Sequence, residues 1–185
     1  MSANDNGLNS ATILAFYIEK KAEKVGVKSN NSPIRNFHTN KVTDTVIELC
    51  EDFEKRYENC FGEMCKTCAS KDLTQEGYWC ILSELLDKDL NWGRIIAIFA
   101  FAGALSVDRM RSNCHGDVEN IQDWTCKFMR KYVEQWVEKN NGWNGLVEFH
   151  NKPVENQNGG WGSMIGAFGA AFGAACLRVL LPSRG

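Results

Sequence analysis

The residue types best suited to chemistry in this chain are three neighbouring cysteines, Cys60, Cys65 and Cys68, a Cys114-His115 pair, and Arg94, which follows Asn91-Trp92-Gly93 at the head of an uncharged run. Thiolates and imidazole hold zinc, but a structural zinc site needs two correctly spaced pairs, and only Cys65-x-x-Cys68 has the spacing. No Ser/His/Asp set, phosphate-cradling glycine loop or paired-carboxylate arrangement stands out. The expectation is a non-enzyme with no catalytic residue, no metal site and no cofactor. Its eight cysteines read mostly as small buried apolar residues.

Arg94 is the group with a specific task. Asn91 is a good N-cap, which makes Arg94 the third residue of a helix, where a cation opposes the helix dipole by about 0.3–1 kcal/mol. An anion would compensate: a carboxylate gripped bidentately by the guanidinium, with Gly93 leaving room for another backbone. The ordinary source of such a carboxylate is an acidic residue of the same chain. A second corner, Trp136-Val137-Glu138-Lys139-Asn140-Asn141-Gly142-Trp143, has the same ingredients: Asn for a cap, Gly for a turn, Trp for an anchor.

The elements that must position these corners are helical. Ser10 can cap a first amphipathic helix carrying Ile13, Leu14, Phe16, Tyr17 and Ile18 and ending at Gly26. Residues 27–40 read as a polar loop. A second helix is expected from Lys41 to Phe61, with Val42, Val46, Leu49 and Phe53 on one narrow stripe. After a short irregular piece, Thr74 can cap a helix with Tyr78, Ile81, Leu82, Leu85 and Leu86. Ile95 to Val107 are 13 residues without a charge, suited to a helix buried on all sides. Asp117 is expected to cap a long helix running through Val118, Ile121, Thr125, Phe128, Tyr132 and Trp136, and a short helix follows from Gly142 to His150.

With 185 residues, 44% of them hydrophobic and 24% charged, the chain is one domain with one core. A net charge of −2 argues against a nucleic-acid partner. The N-terminus lacks the basic-then-apolar pattern of a secretory signal, which points to a reducing compartment. Asn156 to Leu177 carry no charge, and Met164-Leu181 would span roughly 27 Å as a helix, close to a hydrocarbon core. The division expected is a bundle over 1–160 and an apolar helix or membrane anchor over 161–185.

Asn91-Trp92-Gly93-Arg94 opening an uncharged helix, followed by Trp136 and Gly142-Trp143, resembles the first and second homology motifs of the Bcl (B-cell lymphoma two) family of apoptosis regulators. The likeness covers about residues 10–180, with the first helix similar to the fourth homology motif and Val42–Tyr57 to the third, the BH-three segment. That segment comprises Val42, Val46, Leu49, Cys50, Glu51 and Phe53, and it departs from the family pattern: Val46 stands in the Leu position and Cys50-Glu51 in the Gly-Asp position. The sulfur of Cys50 would crowd a close helix contact, so the segment is expected to be a poor ligand for relatives.

The resemblance implies an all-α fold, a bundle of seven to eight helices around a central apolar helical hairpin, and a groove that accepts an amphipathic BH-three helix. Carried over position by position, the groove lining would be Phe53, Tyr57, Phe61, Met64, Ile81, Leu85, Asn91, Gly93, Arg94, Ile96, Ala97 and Phe101, with His150 at the rim. Arg94 would clamp the ligand's Asp. The implied partners are BH-three motifs of pro-apoptotic relatives similar to Bak and Bax. The implied place is the cytoplasmic face of the mitochondrial outer membrane or the endoplasmic reticulum, reached through the C-terminal tail. A pro-survival guardian fits the degraded third motif; the alternative on the same fold is a pore-forming killer.

Overall fold

The computed structural model describes residues 8–27, 39–69, 73–86 and 89–152. The apolar helix or anchor expected over 161–185 and residues 28–38 of the loop expected over 27–40 lie outside the described residues. Among the described residues the elements are eight helices: α1 (Ser10–Lys24), α2 (Lys41–Arg56), α3 (Glu58–Ala69), α4 (Gln75–Leu85), α5 (Trp92–Arg111), α6 (His115–Tyr132), α7 (Glu134–Lys139) and α8 (Asn144–Asn151).

α5 is the centre because its sequence offers nothing that needs water. From Ile95 to Val107 every residue is buried except the half-buried Ala104, and α1, α2, α3, α4 and α6 all pack against this helix. Each fully buried Ile, Leu or Phe contributes about 1.5–3 kcal/mol of transfer free energy, offset by the chain entropy lost on folding. A short turn at Ser112–Cys114 folds α6 back on α5 as the second arm of the hairpin. α6 buries Val118, Ile121, Thr125, Phe128 and Met129 and exposes Glu119, Asp123, Lys127 and Arg130 on the other side.

α1 crosses α5 closely at Gly103. A Cβ there would lie 2.5 Å from Cε1 and 3.1 Å from Cζ of Tyr17, so only glycine lets the ring settle on the helix.

Four element boundaries differ from the sequence expectation. Asn9, not Ser10, caps α1: its Oδ1 accepts the Thr12 backbone N–H at 3.0 Å, while Ser10 is buried as the first helical residue. The second helix does not run to Phe61 but stops at Arg56, and the expected irregular piece is α3. Asp117 does not cap α6, which starts at His115 without a side-chain cap. Trp136 belongs to α7, because the chain leaves helical geometry at Val133 (φ −120°, ψ −40°). Thr74 does cap α4, accepting from Gly77 N. Among the described residues no helix is long and apolar enough to cross a membrane.

Candidate functional site

The site is built at the head of α5. Asn91 is extended (φ −152°, ψ 166°), and its side-chain oxygen accepts the Arg94 backbone N–H at 3.0 Å. Its Nδ2 donates to the Asp89 carbonyl at 3.3 Å. That cap fixes where Arg94 leaves the helix. The side chain is 7% exposed, and Nη1 donates to the Leu85 carbonyl at 2.9 Å, at the last turn of α4. The compensation predicted for a cation at a helix N-terminus is therefore met in part by the negative pole of a neighbouring helix.

Trp92 anchors this corner to the second one. Its ring meets Trp136 edge-on at 5.0 Å and lies 6.0 Å from Trp143, which packs against Phe99 at 5.4 Å. Such contacts add about 0.5–1.5 kcal/mol each beyond their buried area. In the second corner Asn141 (φ 66°) and Gly142 (φ 58°) are both left-handed. The asparagine cap expected in this corner closes α7: Asn140 is its C-cap residue and Nδ2 donates to the Trp136 carbonyl at 2.7 Å, while α8 has no side-chain cap. At Gly145 a Cβ would lie 1.8 Å from the Asn140 carbonyl oxygen and 3.1 Å from the Trp92 ring, so the two corners meet on a glycine.

The remaining predicted groove residues fall on the helices around this head. Phe53 lies 4.8 Å from Tyr57 and 5.8 Å, edge-on, from Phe61. Phe101 is stacked with Tyr78 at 5.7 Å. Phe53, Phe61, Met64, Ile81, Leu85, Ile96, Ala97 and Phe101 belong to the same buried cluster as the core. Gly93 is buried, and Tyr57, Asn91 and His150 are half-buried. His150 Nε2 stands 3.3 Å from Glu48 Oε2, joining α8 to α2.

The chain's own BH-three-like segment lies along α2 with Val42, Val46, Leu49, Cys50 and Phe53 buried. The Cys50 sulfur is accommodated in the core, 3.8 Å from the Ile96 carbonyl of α5, and burial raises its thiol pKa well above the ordinary value. Glu51 pairs with Lys24 of α1 at 2.7 Å.

Three features escaped the sequence reading. Glu54 accepts a hydrogen bond from the Tyr17 hydroxyl and pairs with Lys21, both on α1; burial, then the neighbouring Cys50 and Glu54, raise the Tyr17 phenol pKa well above its usual value. Arg109, 6% exposed, donates from Nη2 to the Cys68 carbonyl and holds Nε 3.6 Å from Asp117, so the far end of α5 clamps α3 to the start of α6. Gly145 is the third. A cation closing an uncharged helix was the available signal for Arg109; nothing in the sequence marks Glu54 or Gly145. Among the described residues no group of three His, Cys, Asp or Glu side chains could hold a metal ion.

This arrangement, an enclosed apolar helix headed by a capped Asn-Trp-Gly-Arg turn within the eight helices of the described residues, defines an all-helical fold built around a buried central helix. The family model of apoptosis regulator proteins, Bcl-2 family, matches residues 46–143, and the chain belongs to that family. It is 29% identical to the dog apoptosis regulator Bcl-2 over 137 residues, covering 73% of this chain and 58% of that protein. It is 28% identical to human Bcl-2-like protein 1 over 121 residues, covering 64% and 52%. The chain thus spans about half the length of the curated relatives it matches. In fold it is similar to the crystal structure of Trichoplax adhaerens trBcl-2L2 bound to trBak BH3 (TM-score 0.66, 24% identity, 75% of this chain and 94% of that one). Chicken BOK has the same fold (TM-score 0.61, 21% identity, 75% and 92%).

Proposed function

We propose that this protein is a pro-survival regulator of apoptosis that sequesters BH3 helices of pro-apoptotic relatives, with Arg94 clamping the ligand's Asp. The observation that carries this is Arg94 itself: a cation 7% exposed at the head of the buried α5, fixed by the Asn91 cap beside the apolar residues of α4 and α5. A buried guanidinium in such a setting discriminates strongly for a carboxylate. That a protein of the same fold, trBcl-2L2, is bound to trBak BH3 supports this partner class. The guardian reading draws further support from α2, whose Cys50 is enclosed in the core and whose Glu51 is engaged by α1, so the chain's own segment is retained rather than offered. The proposal includes residence at the mitochondrial outer membrane or endoplasmic reticulum through the tail at 161–185.

Calorimetric titration with a BH3 peptide tests the reading. Binding is expected, and Arg94→Ala costs about 2–5 kcal/mol because the ligand Asp is left buried and unpaired. No heat, or binding indifferent to that substitution, overturns it. Dye-loaded liposomes address the killer reading: release by the activated protein would replace guardian with pore former.

A further inference from the structure

Beside the Asn91 corner lies a cavity of about 460 Å³ that the groove reading does not use. Trp92, Trp136 and Phe149 give it an apolar lining, and Gly145 forms the tight junction between its two sides. At its edge stand Lys139 and Lys152, both exposed and neither in an ion pair with any described residue. Glu148 also lines it, accepting from Asn141 Nδ2 at 2.7 Å and keeping its charge, so the two lysines leave the lining with a net charge of +1. The cavity borrows Asn91 and Trp92 from the groove corner but nothing from α2, α3 or α4.

We propose that this cavity is a second binding site, for a short acidic linear segment of a partner protein that carries one bulky apolar side chain next to its carboxylates. The aromatic lining takes the apolar anchor, and the two lysines take the acids at the rim, where opposite charge speeds encounter and sets specificity. The site is preorganised: the Trp92 and Trp136 rings are locked edge-on at 5.0 Å, and the turn between α7 and α8 is fixed by the left-handed Asn141 and Gly142. The site's own share of the ordering cost is small, and the segment pays its own on binding. A basic segment of the same apolar content is rejected by the same lysines.

The test uses the full chain and a fluorescein-labelled peptide in which Leu-Phe is flanked on each side by two glutamates. Polarisation is expected to show saturable binding, and the indole N–H resonances of Trp92 and Trp136 shift with the titration. The double variant Lys139→Glu/Lys152→Glu weakens binding by about tenfold or more, while its melting temperature is unchanged because both lysines are exposed. Arg94→Ala leaves this peptide's affinity unaltered, which separates the cavity from the groove: the cavity can fail here while BH3 binding persists, and the reverse. Equal binding by the double glutamate variant overturns the proposal. So does displacement of the peptide by a BH3 helix in an Arg94-dependent manner. A wild-type dimer that the double variant dissolves would assign the cavity to a second copy and overturn it likewise.

Discussion

α2 is held on two sides by opposite means. On its core side Val46, Leu49, Cys50 and Phe53 are buried, with the Cys50 thiol near the Ile96 carbonyl of α5. Toward α1 it presents carboxylates: Glu54 to Tyr17 and Lys21, Glu51 to Lys24. Apolar burial is proportional to area and indifferent to direction, so the core side supplies stability. The apolar stripe sets which face of α2 is buried, and the ion pairs and hydrogen bonds toward α1, which contribute little net energy but demand particular geometry, sharpen that rotation. That rotation decides whether the BH-three-like residues face the core or the solvent.

The contrast breaks most visibly at Phe53. Phe53→Ala is expected to cost about 3–5 kcal/mol, read as a lower urea midpoint at unchanged slope. On the polar side Glu54→Ala leaves the buried Tyr17 hydroxyl and Lys21 without that carboxylate and costs about 1–3 kcal/mol in the same assay. Alkaline pH loads both sides of α2, since the Cys50 thiol on the core side and the Tyr17 phenol on the α1 side are both raised, and it loads the neighbouring α3 through Cys65. Burial pushes the Cys65 thiol up from 9.0 to about 12, so the native state keeps a proton that the unfolded chain releases. Stability is whole below the unfolded value and falls as pH rises toward 12, by at most about 1.4 kcal/mol per pH unit for this group. Cys65→Ala should flatten that fall in urea melts taken above about pH 9. The smallest effect belongs to the exposed pair: with Lys24 and Glu51 side chains 65% and 45% exposed, Lys24→Ala is expected to shift stability by about 0.5 kcal/mol or less.

What the sequence revealed and what it hid follow the same division. The uncharged run at 95–107 and the Asn91 cap are local signals, and both appear in α5 as expected. The breaks at Tyr57 and Val133 are not local. No Gly or Pro stands at either, and helical periodicity passes through both. At the first break the Phe53, Tyr57 and Phe61 rings pack on one another, and at the second Val133 is itself buried, so tertiary packing outweighs propensity. For the site, Arg94 was legible because a cation at a helix N-terminus demands an explanation. That the explanation includes the Leu85 carbonyl required knowing where α4 ends. The α1 side of α2 stayed hidden because pairing between charged helices leaves no periodic trace.

The contact between Tyr17 and Gly103 also constrains how the sequence can drift. The atoms a Cβ at 103 would strike are ring carbons of Tyr17 and the Lys21 Cδ, not the hydroxyl. Replacing Tyr17 by phenylalanine therefore gives no relief, whereas a small side chain at 17 does. Positions 17 and 103 should consequently change together or not at all, and a double-mutant cycle between Gly103→Ala and Tyr17→Ala should show each substitution partly rescuing the other.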